Sequence, residues 1–295
     1  MSVIIAYLIV VLIWSTTPLG IVWSSESVSP TLAVLSRMVI ALAIGGCILA
    51  LTKTSLPTHR QALRLYCYSG GGIFAGMLLA YLATGYIASG MMSLIFGLAP
   101  IISGLLAQKI LGEPKFSVIK RLSLLVSLSG LAVVCSDSLS LNTDSGVGLM
   151  LVLVAVFFFS LSGVMVKSVD ININPMATTF GALSVATPLF ALTWFISDGT
   201  LPVAQWQARS LWAILYLGIF GSLIGFIAYY YVLQKLPAST VSLITLITPV
   251  FALSLGGYLN NEPISLQLVI GAFCVVMGLS LFLWGDKLIK QRLYN

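Results

Sequence analysis

Long apolar runs, separated by short polar stretches, fill this chain from end to end. A helix needs about 20 residues to cross roughly 30 Å of hydrocarbon, and ten runs have about that length. We therefore predict ten transmembrane helices. The runs are 3–23, 30–52, 64–86, 90–111, 118–137, 146–167, 175–197, 210–233, 238–259 and 264–285.

One pattern occurs twice along the chain. Ser93-Leu94-Ile95, Pro100 and Glu113-Pro114 recur 149 residues later as Ser242-Leu243-Ile244, Pro249 and Glu262-Pro263. Such self-similarity indicates a duplicated unit, so we predict two five-helix repeats, residues 1–137 and 146–295. Because each repeat has an odd number of helices, the second would be inverted relative to the first. Inverted repeats are typical of carriers with a site near the membrane midplane.

The composition excludes a soluble globular protein. Hydrophobic residues make up 59% of the chain, charged residues 7%, and the mean hydropathy is +1.09, which leaves too little polar surface for a water-soluble fold. The single His and four isolated Cys residues show no metal-ligand or catalytic spacing, so we predict no enzyme activity, no catalytic residue, no metal and no cofactor.

The basic residues are distributed very unevenly between the two predicted membrane faces. With ten helices, twelve Lys and Arg residues fall on one face and Arg209 alone on the other, while Arg37 lies inside a helix. Because Lys and Arg concentrate on the cytoplasmic side, both termini are predicted to be cytoplasmic. The net charge of +6 is thereby explained by orientation, and no nucleic-acid partner is predicted.

Several short motifs resemble the drug/metabolite transporter superfamily, in its ten-helix branch built from two EamA-like domains. They are Trp14-Ser15, the segment 30–37 ending in Arg37, Pro100 with Pro249, and the Leu-Gly-Glu-Pro of 111–114 echoed by Asn-Asn-Glu-Pro at 260–263. The second copy departs from the family pattern with Asn261 where Gly is usual. The resemblance implies export of amino acids and other small metabolites.

Arg37 is the one basic residue placed well inside a predicted helix, and its counterpart in the second repeat is Ala182. An intramembrane charge is costly and usually faces a cavity or a partner. Two interpretations stay open. Arg37 pairs structurally, for example with the interfacial acid Glu26, or it serves the substrate or a gate.

The predicted substrate cavity combines aromatic rings with hydroxyl groups near helix midpoints. Rings cover an apolar side chain and hydroxyls satisfy polar groups, so the mixture suits a small zwitterion. Tyr81 and Tyr230, symmetry mates near opposite ends, are predicted gates. Pro100 and Pro249 are predicted hinges, because Pro removes a backbone hydrogen bond within a helix. The remaining predicted substrate contacts are Trp14, Thr17, Arg37, Phe96, Phe159, Ser162, Thr245 and Thr248.

These features together predict an alternating-access exporter of amino acids or similar metabolites in the bacterial inner membrane. Its predicted partners are the small-molecule substrate and the lipid bilayer, and the protein is predicted to be a monomer or weak dimer. Two alternatives from the same broad class remain, a multidrug efflux carrier and an importer of a small metabolite.

Overall fold

The structure of the protein is a computed structural model that describes residues 2–141, 145–236, 241 and 244–293. Side chains are described for all of these except 135–141, 246, 283 and 286–293. Regular structure in this part of the chain is helical throughout. The α-helices are α1 (Val3–Ser24), α2 (Pro30–Leu51), α3 (Arg60–Leu82), α4 (Ser89–Phe96), α5 (Ala99–Ile110), α6 (Val118–Leu141), α7 (Ser145–Ser168), α8 (Pro175–Ser197), α9 (Ala208–Tyr216), α10 (Gly225–Lys235), α11 (Ile244–Asn260) and α12 (Leu266–Leu293).

Seven helical stretches of the described chain are long and apolar enough to cross a membrane. A 3-10 turn extends α3, α4 continues into α5, and a π-helical segment, Leu217–Ile224, joins α9 to α10. Since these helices also expose many large apolar side chains, the chain is a multi-pass membrane protein. The seven stretches are Val3–Ser24, Pro30–Leu51, Arg60–Gly85, Ser89–Ile110, Ser145–Ser168, Pro175–Ser197 and Ala208–Lys235.

Three further predicted spans correspond to α6, α11 and α12, so a count of ten spans stays a prediction. Residues Met1 and Tyr294-Asn295 lie outside the described residues, and the orientation of the termini stays a prediction as well. Ser242 and Leu243 of the second sequence motif also lie outside the described residues.

The two Glu-Pro motifs end their helices in the same way. Gly112 has φ +69° and Asn261 has φ +50°, a left-handed conformation that favours Gly and tolerates Asn better than other residues. After each turn, the next backbone N–H bonds six residues back: Glu113 N to Ala107 O at 3.3 Å and Glu262 N to Gly256 O at 3.2 Å. The Asn that departs from the family pattern therefore preserves the turn.

Small residues set the closest helix contacts. A Cβ atom added at Gly72 or Gly76 of α3 would overlap Ser162 or Phe159 of α7. Gly130 of α6 and Gly271 of α12 approach backbone to backbone, with the added Cβ of each 2.7 Å from the other's carbonyl oxygen. In lipid, where apolar side chains gain little by leaving the solvent, such close approach is a main source of helix association.

We predict that Gly72→Val destabilises the folded protein, because the added side chain must displace α7. Overpacking of this kind costs about 1–3 kcal/mol, measurable as a lower melting temperature of the purified protein in detergent. Gly71→Val is the matched control, since a Cβ at Gly71 has nothing within 4 Å. Equal melting temperatures for the two variants would contradict this account of the contact.

Candidate functional site

A cavity of about 370 Å³ lies between the helices, within the size range of small-molecule sites. Its walls come from α1, α3, α4, α5, α6, α7, α10, α11 and α12, so both predicted repeats contribute. The predicted site residues that line it are Trp14, Thr17, Phe96, Pro100, Phe159, Ser162, Tyr230, Thr245 and Thr248.

The other three predicted residues lie outside the set that lines the cavity. Pro249 lies within α11. Tyr81 is fully buried, and its hydroxyl lies 3.4 Å from Ser24 Oγ. Arg37 lies behind the wall, with Nη1 at 3.9 Å from Sδ of Met77, which does line the cavity.

Two aromatic pairs contribute to the wall. Trp14 of α1 and Tyr229 of α10 have ring centroids 5.1 Å apart, and Phe96 of α4 and Phe159 of α7 have centroids 5.7 Å apart. Aromatic pairs at these distances are favourable beyond the area they bury. Gly76 leaves the space that the Phe159 ring occupies, so the position of this wall depends on a small residue.

Hydroxyl groups that line the cavity donate hydrogen bonds to backbone carbonyl oxygens. Thr17 Oγ1 donates to Ile13 O at 2.7 Å, and Ser162 Oγ donates to Tyr68 O at 2.8 Å. A hydroxyl that donates in this way keeps acceptor lone pairs, which suit an ammonium or amide group. Ser69 Oγ also lines the cavity and has no hydrogen-bond partner among the described residues.

One end of the cavity, the open end, is charged. Glu113, Lys120 and Lys167 line it there, and Glu113 and Lys167 are exposed. Nζ of Lys120 lies 5.3 Å from the ring centroid of Phe282 and 5.8 Å from that of Phe116, within cation–π range. This end is therefore accessible to a charged solute.

The opposite, closed end is sealed by buried apolar residues and then by polar contacts. Ile21, Ala80 and Met92 line the cavity here and are at most 3% exposed. Beyond them, Glu26 pairs with Arg209 at 3.2 Å, and Arg209 lies 5.2 Å from the Trp23 ring centroid.

A second set of contacts at the closed end centres on Glu262. Trp23 Nε1 donates to Asn260 Oδ1 at 2.9 Å, and Asn260 Nδ2 donates to Glu262 Oε1 at 3.1 Å. The Glu262 carboxylate accepts from the backbone N–H groups of Ser89 at 3.1 Å and Gly90 at 3.2 Å. In the described part of the chain, these contacts close this end, whereas exposed residues line the end of Glu113 and Lys167.

Arg37 is completely buried and has no ion pair among the described side chains. Nε donates to Ser222 Oγ at 2.9 Å and Nη1 to Tyr81 OH at 3.4 Å, whereas Nη2 has no partner there. Glu26, the structural partner considered from the sequence, pairs with Arg209 instead. Ser222 belongs to the π-helical segment, and π-helical turns often occur at functional sites.

The cavity lining includes polar and charged residues that the sequence analysis does not predict. Tyr229 precedes the predicted Tyr230 and also lines the cavity, as do the three charged residues of the open end. A basic residue at a helix end can indicate the orientation of the helix in the membrane, and it can also line a cavity. The packing of α5, α6 and α7 shows that these residues line the cavity.

Comparisons with known proteins agree with this architecture. The model of the EamA-like transporter family matches residues 1–136 and 146–284. An uncharacterized transporter of Archaeoglobus fulgidus is 26% identical over 267 residues, covering 90% of this chain and 93% of its own. Protein PagO of Salmonella typhimurium is 26% identical over 293 residues, covering 95% and 94%.

A solved crystal structure shares the fold, with a TM-score of 0.68 at 19% sequence identity, covering 96% of this chain and 97% of its own. The helices, the cavity and these relatives define a multi-pass membrane transporter. The chain belongs to the EamA-like transporter family, which confirms the resemblance to drug/metabolite transporters inferred from its motifs.

We predict that Arg37→Lys destabilises the protein more than Arg37→Met. Lysine keeps the cost of burying a charge but cannot reproduce the fork that reaches both Ser222 and Tyr81, whereas methionine removes the charge. Losing a hydrogen bond of this kind costs about 2 kcal/mol, seen as a lower melting temperature in detergent. Arg209→Lys, at an exposed ion pair, is the control, and the reverse order of the two Arg37 variants would refute this reading.

Proposed function

We propose that this transporter exports amino acids or similar small metabolites across the bacterial inner membrane. It would do so by alternating access between two inverted five-helix repeats, residues 1–137 and 146–295, with ten spans and cytoplasmic termini. The observation that carries the proposal is a cavity between helices of both repeats that reaches one end of the molecule and is sealed at the other. A carrier in one of its two states has this shape, and a continuous pore does not.

The lining supports a small zwitterion with an apolar side chain as substrate. The pairs Trp14–Tyr229 and Phe96–Phe159 offer aromatic surface for the side chain. Hydroxyl lone pairs of Thr17 and Ser162 are oriented by their backbone bonds and suit the ammonium group. Lys120 and Lys167 at the open end would attract the carboxylate, with Glu113 beside them.

Hinge and gate roles follow from the same arrangement. Helix α4 ends at Phe96 and α5 begins at Ala99, with Pro100 in its first turn, so the span bends at a residue that lines the cavity. Pro249, its counterpart in the second predicted repeat, instead lies inside the continuous helix α11, so its hinge role rests on the backbone hydrogen bond that proline cannot make. We assign Tyr230 to the wall that moves at the open end, and Tyr81 with Arg37 to the support of the closed end.

Export is tested by measuring metabolites outside cells that overproduce the protein. We expect external amino acids to rise with the wild-type chain and the rise to fall about tenfold with Trp14→Ala, because a ring that covers the substrate is worth roughly 1.5–3 kcal/mol. Trp212→Ala is the matched control, since this ring is 69% exposed and lies away from the cavity.

Purified protein in liposomes supplies the second readout. Saturable uptake with counterflow of the identified amino acid supports a carrier. Single-channel currents, or an unchanged external metabolite profile at full protein level, would refute the proposal.

A further inference from the structure

We propose that Glu262, Asn260 and Gly256 are positioning residues of transport, forming a latch that holds the closed end shut and is built into only one of the two repeats. The latch makes the state described here the resting state, so that the empty carrier opens at the end of Glu113, Lys120 and Lys167. This inference rests on the proposed function and adds to it the side on which substrate is loaded.

The first element of the latch is a carboxylate at the start of a helix. Glu262 bonds to the N–H groups of Ser89 and Gly90, the first two residues of α4. These groups have no partner within their own helix, and a charged acceptor makes a stronger bond to them than a neutral one. The bonds join the connection after α11 to α4, and thus the second predicted repeat to the first.

Asn260 extends the latch to a third helix. Its Nδ2 donates to Glu262 Oε1 and its Oδ1 accepts from Trp23 Nε1 at the end of α1. The carboxylate is thereby held in place from its own chain, while α1 and α4 are both tied to α11. Opening this end requires the three hydrogen bonds that cross between helices, those from Ser89 N, Gly90 N and Trp23 Nε1, to break together.

The absence of a side chain at Gly256 leaves room for the Glu262 carboxylate to reach α4. A Cβ atom built there would collide with Oε2 of Glu262 and lie 2.9 Å from its Cδ. The backbone holds the two residues close together, because Glu262 N donates a hydrogen bond to Gly256 O. Any larger residue at 256 therefore displaces the carboxylate from α4.

The other repeat has the same left-handed turn but lacks residues equivalent to Asn260 and Gly256. In the 149-residue register, Gly256 corresponds to Ala107, Asn260 to Leu111 and Glu262 to Glu113. The Ala107 methyl group occupies the space that Glu262 uses in its own copy, and Leu111 cannot donate a hydrogen bond. Consistent with this, Glu113 is an exposed residue that lines the open end of the cavity. The glutamate is duplicated, whereas the latch is not.

The latch is tested by the accessibility of a thiol at the closed end. In a background with the native cysteines replaced by Ser, Met92→Cys places a thiol at a cavity position that is 1% exposed. A membrane-impermeant maleimide added from the Glu262 side should label it slowly. We expect Gly256→Ala and Glu262→Gln each to raise the labelling rate about tenfold. A change of about this size is expected when one or two hydrogen bonds to a charged group are lost.

Two matched controls accompany these variants. Glu113→Gln removes the same charge from the other repeat, and Gly71→Ala makes the same backbone change where a Cβ meets nothing within 4 Å. Both should leave the labelling rate unchanged. No increase in well-folded Gly256→Ala and Glu262→Gln, or an equal increase in Glu113→Gln, would overturn the proposal.

Flux in the same vesicles separates the latch from the proposed function. If wild-type vesicles transport amino acids but labelling does not respond to Gly256→Ala, the latch is wrong and the exporter stands. If labelling responds as expected but no amino acid is carried, the closing device stands as a structural feature, and both its role in loading and the proposed export are wrong.

Discussion

Close approach of helices at small residues is the constraint on which the other features depend. Within hydrocarbon, apolar side chains gain little by leaving the lipid, so helices associate where their surfaces fit and where polar groups find partners. Gly76 admits the Phe159 ring, Gly221 leaves room beside the Arg37 guanidinium, and Gly256 admits the Glu262 carboxylate. In each case a missing side chain on one helix determines where a functional side chain of another can lie.

The surroundings of each charged group depend on whether water can reach it. The exposed open end carries Lys and Glu side chains that remain solvated, and Lys120 also lies against two aromatic rings. At the closed end, charges are paired or bonded to backbone N–H groups. Arg37 lies between the two ends, and its hydrogen-bond partners among the described residues are neutral groups. A buried charge of this kind is tolerated because the surrounding helices hold several donors and acceptors together.

Repetition in the sequence and asymmetry in the structure are compatible, because the repeated residues build turns and the unmatched residues build contacts. Gly112 and Asn261 adopt the same left-handed conformation, although only one of them is glycine. In the 149-residue register Leu111 and Ala107 stand in place of Asn260 and Gly256, both of which contact Glu262 at the closed end. In the mechanism that we propose, a duplicated chain thus favours one of two states without losing the common scaffold.

The sequence by itself determined that this is a multi-pass membrane protein and which family it belongs to, and it predicted nine of the residues that line the cavity. These depend on local properties: apolar run length, short motifs, and rings or hydroxyls near helix midpoints. Only the tertiary structure decided that Arg37 binds Ser222 rather than Glu26, that Glu262 bonds to α4, and that the cavity opens at one end. The Arg37 and Glu262 contacts join residues 172 or more positions apart, and residue spacing along the chain does not show which helices become neighbours.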